Sequence, residues 1–223
     1  MNKYAIVVVG PSGAGKTTVA DALIERLGDL EMSRSATTRQ RRGDGRDDEY
    51  VYLTVEEFEE SINKGEVLEY TNYSGNYYGT RKCELDRILA EGKKPILVLD
   101  YFGARSLKER LDYPVIAIYV YTSLAETEKR LAERDLRSSA NDKKIETLKK
   151  RIHENVNDYL HLGEFSQLFD FYIENEDLEA CIAKIEENLE KIISGEEVMA
   201  PEEKDAIVAS FKEEAEAFVT SAN

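Results

Sequence analysis

Cysteine is scarce: the 223-residue chain has two, Cys83 and Cys181. Two thiols so far apart make no disulfide framework and read as buried or half-buried thiols in a reduced, cytoplasmic setting. Histidine is equally rare. With two histidines and no Cys/His cluster, a zinc site is not expected. No apolar run approaches a membrane span, and the chain has no charged-then-apolar secretory start, so no membrane association is expected. Positive charge is in deficit, with 45 acids against 30 bases and a net charge of −15. Such a chain is expected to bind no nucleic acid polymer, which needs a basic face. Internal repeats and low-complexity segments are absent, and the oligomeric state is left open.

What is present is enough apolar sequence for a core, 42% of residues, in a length that suits one α/β domain with insertions. The bases are also unevenly placed. Arg34, Arg39, Arg41, Arg42 and Arg46 fall within thirteen residues. In an acidic chain this arginine cluster suggests a small polyanion as ligand, where the alternative is a solvated charge run on a loop.

The strongest local signal is Gly10-Pro11-Ser12-Gly13-Ala14-Gly15-Lys16-Thr17-Thr18. It follows the β-branched run Ala5 to Val9 and precedes a helical pattern from Val19 to Leu27. Strand, glycine-rich turn and Lys-Thr at a helix start make the setting of a phosphate-binding loop. The glycines let successive N–H groups face inward, and the helix N-terminus adds donors and a positive dipole end. Lys16 is expected at the terminal phosphates and the Thr17 hydroxyl at Mg²⁺.

Further along, strands and helices alternate, which predicts an α/β fold: a phosphate-loop core with a parallel sheet flanked by helices. Tyr50 to Leu53 reads as a strand. Thr54 and Glu57 form a capping-box start to the next helix. Val67 to Tyr73 has strand character, residues 74–79 read as a turn, and Thr80 as the cap of a following helix. Residues 33–91 thus look like a small mixed insertion. Pro95 to Asp100 is a continuous apolar strand of the parallel type, ending in a carboxylate that is either metal-side or a turn residue. Residues 124–155 read as two helices around a polar hinge, a mobile lid carrying Arg130, Arg134 and Arg151. Beyond Gly195 the chain is acidic, with eight acids and two bases in 194–223. Pro201 starts a helix there with Ile207, Phe211 and Phe218 on one face.

Three segments together carry a resemblance. The loop Gly10 to Thr17, then Ser35-Ala36-Thr37-Thr38-Arg39-Gln40-Arg41-Arg42, then Glu69 with Ser74-Gly75-Asn76-Tyr77-Tyr78-Gly79-Thr80, resemble guanylate kinase in order and spacing over about residues 3–193. The last stretch is the most specific, since other nucleoside-monophosphate kinases share the loop and lack it. The resemblance implies a phosphoryl transfer from ATP to GMP, and to dGMP, with Mg²⁺, in purine nucleotide metabolism. It implies that residues 10, 12–18 hold the ATP phosphates and that Lys16, Arg39, Arg130, Arg134 and Arg151 serve catalysis. It places Asn175 near the adenine. It assigns Ser35, Arg39, Arg42, Tyr50 and Tyr78 to the acceptor's phosphate, Glu69 and Thr80 to the guanine, and Asp100 to the acceptor side. Val98 and Phe102 depart from the family's usual Asp and Gln. Two other readings stay open here: a kinase of this fold with another phosphorylated acceptor, and a retired module of this kind that serves as an interaction domain.

Overall fold

The computed structural model describes residues 3–41, 47–73, 75–136 and 142–221. In chain order the elements are β1 (Ala5–Val9), α1 (Lys16–Leu27), β2 (Leu30–Met32), β3 (Ser35–Thr37), β4 (Tyr50–Tyr52), α2 (Val55–Asn63), β5 (Val67–Tyr73), β6 (Asn76–Arg81) and α3 (Lys82–Ala90). They continue with β7 (Lys94–Val98), α4 (Tyr101–Arg110), β8 (Val115–Tyr121), α5 (Leu124–Leu136), α6 (Asp142–His161), β9 (Phe171–Glu174), α7 (Leu178–Ser194) and α8 (Pro201–Ser221). A 3₁₀ segment, Leu162–Leu168, follows α6.

The strands form two sheets. The larger has the order β2-β7-β1-β8-β9, and the smaller β4-β3-β6-β5. In the larger sheet β2 pairs parallel to β7 and β8 parallel to β9, with Ile118 opposite Phe171. Every residue of β1 and six of the seven in β8 are buried, as expected of central strands covered on both faces. The expected α/β architecture, a parallel sheet flanked by helices, is the one observed. No helix among the described residues is long and apolar enough to cross a membrane.

The chain divides into two compact units. One is Val8–Ala22 with Ala117–Asn223, and the other is Asn2–Val7 with Leu23–Ile116. The first holds the phosphate loop, the arginine-bearing helices α5 and α6, and the terminal helix. The second holds the whole of the smaller sheet.

Several local expectations are met by their stated causes. Thr54 accepts from Glu57 N at 3.1 Å while the Glu57 carboxylate accepts from Thr54 N at 2.7 Å, the reciprocal capping box. A bond not named above adds to these: Ser123 Oγ accepts from Glu126 N at the start of α5. Two expectations are corrected. Residues 76–79 are strand, since β6 is zipped between β3 and β5; Gly75, at φ +79°, keeps turn geometry, and Ser74 lies outside the described residues. Thr80 therefore caps nothing: it lies within β6, and α3 starts at Lys82 after Arg81. Ladder pairing on both sides outweighs the turn preference of Gly and Asn.

The terminal helix α8 is docked within its own unit. Val208, Phe211 and Ala215 are buried. Phe211 stacks on Tyr159 of α6, with centroids 4.5 Å apart, and meets Tyr121 of β8 edge-on at 4.8 Å. Glu214 Oε1 accepts from Leu124 N at 2.7 Å, so the tail supplies a carboxylate to the N-terminus of α5. Asp205 accepts from Ser166 Oγ at 2.7 Å and from Gln167 Nε2 at 2.8 Å.

Candidate active site

Between β1 and α1 the backbone makes the curl that its glycines allow. Gly10 has φ +151°, and a Cβ there would run into the Val120 carbonyl. Gly15 has φ +90°, and a Cβ there would strike the Asn175 amide. Both positions need the residue without a side chain. Gly13 is also at positive φ, and Ala14 N closes a turn on Pro11 O. α1 begins at Lys16, so its free N-terminal turn, with the exposed hydroxyl-bearing residues Thr17 and Thr18, faces the loop's anion cradle. Lys16 Nζ folds back over the loop and donates to Gly10 O at 2.8 Å and Pro11 O at 2.9 Å. Burial is the largest influence on this ammonium and lowers its pKa to about 8; Asp158 opposes the shift and Arg134 adds to it.

Two buried asparagines fasten the loop. Asn155, on α6, accepts from Ser12 N and donates to Ser12 O, both at 2.8 Å. Asn175, just after β9, donates Nδ2 to Ala14 O at 2.8 Å, while its own N–H reaches Tyr121 O. Asn175, which the resemblance places near the adenine, thus also fastens the loop through its amide. Asn155 was not anticipated. The available signal is a polar residue inside the apolar stripe Leu148, Ile152, Val156, Tyr159 of α6.

The three arginines expected over the ATP phosphates lie in this same unit, each held by a carboxylate. Arg130 Nε pairs with Glu126 at 2.9 Å, and its Nη2 donates to Asn175 O at 2.9 Å. Arg134 and Arg151 share one partner: Asp135 accepts from Arg134 Nε at 2.8 Å and from Arg151 Nη1 at 2.6 Å. These bonds, Arg134's first, hold the Asp135 carboxyl below its ordinary range. Asp135 thus gathers two cations from two helices, and nothing in its local sequence marks it for that.

The acceptor residues belong to the second unit, and strand alternation sorts them. In the smaller sheet Ser35 pairs with Tyr50, Thr37 with Tyr52 and Tyr78, and Glu69 with Thr80. Directly paired residues share a face, and neighbours two apart on one strand share it too. Ser35, Tyr50, Glu69, Tyr78 and Thr80 therefore stand on one face. The opposite face is apolar: Ala36 and Val67 pack on Phe58 of α2, with Leu53, Ile62 and Tyr77 around them. The register, with its one irregularity between Val67 and Glu69, separates a greasy side from a polar one.

On the polar face Thr80 Oγ1 donates to Glu69 Oε1 at 2.6 Å. Burial raises the Glu69 pKa; the Thr80 bond counters this, and the charge of Asp100 adds to it. Arg39 is buried, its guanidinium 4.7 Å from the Tyr50 ring centroid and 5.6 Å from that of Tyr52. Tyr50 and Tyr78 meet edge-on at 6.2 Å. Arg41 lies over Tyr52, whereas Arg34 leaves the cluster and pairs with Glu84. Arg42 and Arg46 lie outside the described residues. Asp100 is the N-cap of α4 and accepts from Gly103 N at 2.7 Å.

A carboxylate with a hydroxyl beside it, next to a cluster of arginine and phenols, suits a ligand with a paired-donor base edge and a phosphate. The family model described as Guanylate kinase matches residues 2–192. The chain belongs to the guanylate kinase family. Among curated relatives, the guanylate kinase of Clostridium perfringens (strain SM101 / Type A) is 35% identical over 182 residues, 81% of this chain and 80% of that one. The guanylate kinase of Clostridioides difficile (strain 630) is 33% identical over 94% of this chain and 96% of that one. A crystal structure of guanylate kinase from Anaplasma phagocytophilum superposes with a TM-score of 0.59 at 25% identity, covering 84% of this chain and 85% of that one. The chain is accordingly an enzyme, an ATP:GMP phosphotransferase. Helix α8 begins beyond the segment matched by the family model.

Proposed function

We propose that the residues described above divide the reaction as their two settings suggest: the loop unit takes ATP, and the polar face of the smaller sheet takes GMP or dGMP, giving GDP or dGDP and ADP. The observation that carries the acceptor assignment is the Glu69–Thr80 pair on that polar face. One carboxylate can accept from the guanine N1–H and exocyclic amine together, a pairing that adenine lacks. A site built on it rejects AMP steeply, because Glu69 would keep only its Thr80 bond and find no donor on the base. Arg39 and the phenols of Tyr50 and Tyr78, with Ser35 and Arg42, take the acceptor phosphate. No residue here is assigned to a ribose 2′-OH, which is why dGMP is included.

On the donor side, loop N–H groups and the α1 N-terminus hold the ATP phosphates, and Lys16 moves from its two carbonyls to the terminal ones. Arg130, Arg134 and Arg151 balance the charge that spreads over the transferred group. The Thr17 hydroxyl is a hard oxygen donor at the loop, as Mg²⁺ prefers. Among the described residues no group of three His, Cys, Asp or Glu could hold a metal on its own, which suits an ion carried in by the nucleotide. Held there, Mg²⁺ would supply positive charge against the nucleotide phosphates. An intact loop with Lys16 seated in it counts against a retired interaction module. We place the enzyme in the cytoplasm.

The test is ADP release from Mg-ATP with GMP, dGMP, AMP, UMP and CMP in turn. Release with GMP and dGMP alone supports the reading; comparable release with AMP refutes the role given to Glu69.

A further inference from the structure

β5 carries an irregularity just before Glu69. Val67 pairs with Arg81 and Glu69 with Thr80, so two steps on β5 match one step on β6. Leu68 is the extra residue of a β-bulge. Its consequence is a change of face. In a regular strand Val67 and Glu69, two apart, would point the same way. Val67 is instead packed on Phe58 in the apolar cluster, while Glu69 stands beside Thr80 on the polar face. Removal of the bulge would turn either Val67 out of the core or Glu69 into it.

A bulge leaves carbonyls outside the ladder, and one side chain collects them here. Arg110, the last residue of α4, donates Nη1 to Val67 O and to Leu68 O, both at 2.9 Å. The same helix is capped at its other end by Asp100, whose charge is felt at Glu69. α4 thus reaches the guanine-reading strand from both of its ends. Arg110 is exposed overall, and the two residues whose carbonyls it holds, Val67 and Leu68, are not among those assigned to substrate.

We propose that Arg110 is a positioning residue for base selection: by holding the bulge at Val67 and Leu68, it keeps Glu69 turned to the acceptor face. This rests on the reading of Glu69 as the guanine acceptor. Both bonds come from a single nitrogen, so a lysine ammonium can replace them, whereas the methionine stem cannot.

The test is steady-state kinetics of the full chain carrying R110M, R110K or E69Q, with GMP and AMP as acceptors. For R110M the KM for GMP rises about tenfold, from the loss of two charge-assisted bonds. The preference for GMP over AMP falls by a similar factor, and the KM for ATP stays within about twofold. R110K restores the KM and the preference. A protein that is merely less stable would lose active fraction without changing either ratio. If R110M does not fold, R110Q, whose amide is too short to reach both carbonyls, carries the same expectation. Wild-type GMP KM and GMP/AMP preference in the arginine variants, while E69Q loses both, overturns the proposal. An unaltered preference in E69Q overturns the reading beneath it and the proposal with it.

Discussion

Raising the pH tests the burial of Lys16 directly. Its pKa is lowered from 10.5 to about 8 by burial in the loop. ATP brings negative charge to the ammonium and favours the charged form, so the pKa is higher in the complex and binding takes up protons. About half of the empty enzyme carries a neutral Lys16 at pH 8, roughly a tenth at pH 7 and roughly nine-tenths at pH 9. Proton uptake per ATP bound follows these fractions: ~0.1 at pH 7, ~0.5 at pH 8 and ~0.9 at pH 9. Above pH 8 the affinity falls about tenfold per pH unit, up to a ceiling of ~3.4 kcal/mol for the full displacement of the pKa. The empty protein responds with the opposite sign. Between pH 8 and 10.5 its unfolded state binds more protons than the folded one, so its stability rises with pH across that window. The assay is calorimetric titration of Mg-ATP at pH 7, 8 and 9, in two buffers of different ionisation enthalpy. K16M, which removes the titrating group, is the control. Equal apparent enthalpies in both buffers at pH 8 and 9, or the same uptake in K16M, would refute the assignment.

Three further outcomes are expected. Glu69→Gln lowers kcat/KM for GMP by at least about a hundredfold, since a buried charge-assisted pair is lost, and leaves the KM for ATP near wild type; parallel loss of both would contradict its role. Phe211→Ala empties the aromatic cluster between α8, α6 and β8 and costs about 3–5 kcal/mol, which lowers Tm by roughly ten degrees in scanning calorimetry. A change of a degree or two would mean that α8 is only loosely seated. Asn155→Ala leaves the Ser12 peptide without its two partners, raises the KM for ATP about five- to tenfold and spares that for GMP; an unchanged ATP KM would show that the loop holds its shape unaided.

The phosphate loop, the capping box at Thr54 and the stripe of α8 are legible in sequence because their causes are local: glycine at positive φ, a residue three positions on, an apolar repeat. The polar face of the smaller sheet is partly legible. Ser35, Tyr50, Glu69, Tyr78 and Thr80 can be picked out as a set, but residues 76–79 read locally as a turn. Their strand state is decided by ladders to β3 and β5 on either side. Thr80 shows the same limit: a helix cap by local pattern, it is a partner of Glu69 once β6 exists. Asn155, Asp135 and Arg110 are beyond local reading. Asn155 meets Ser12 across 143 positions, and Arg110 meets Val67 across 43. Asn155 at least interrupts an apolar stripe, whereas Arg110 at a helix end looks like an ordinary solvated cation.

The fastening of the phosphate loop also orders events in time. Ala14 leaves the ribosome 161 residues ahead of the Asn175 amide that holds its carbonyl, and Leu124 precedes by 90 the Glu214 that completes its helix start. At synthesis rates of about 5–20 residues per second, the loop waits on the order of ten seconds for its last restraint. The nascent chain therefore displays a nucleotide-binding signature well before it can grip a nucleotide. Competence arrives late in translation, when the downstream strand and helix join the segment made first.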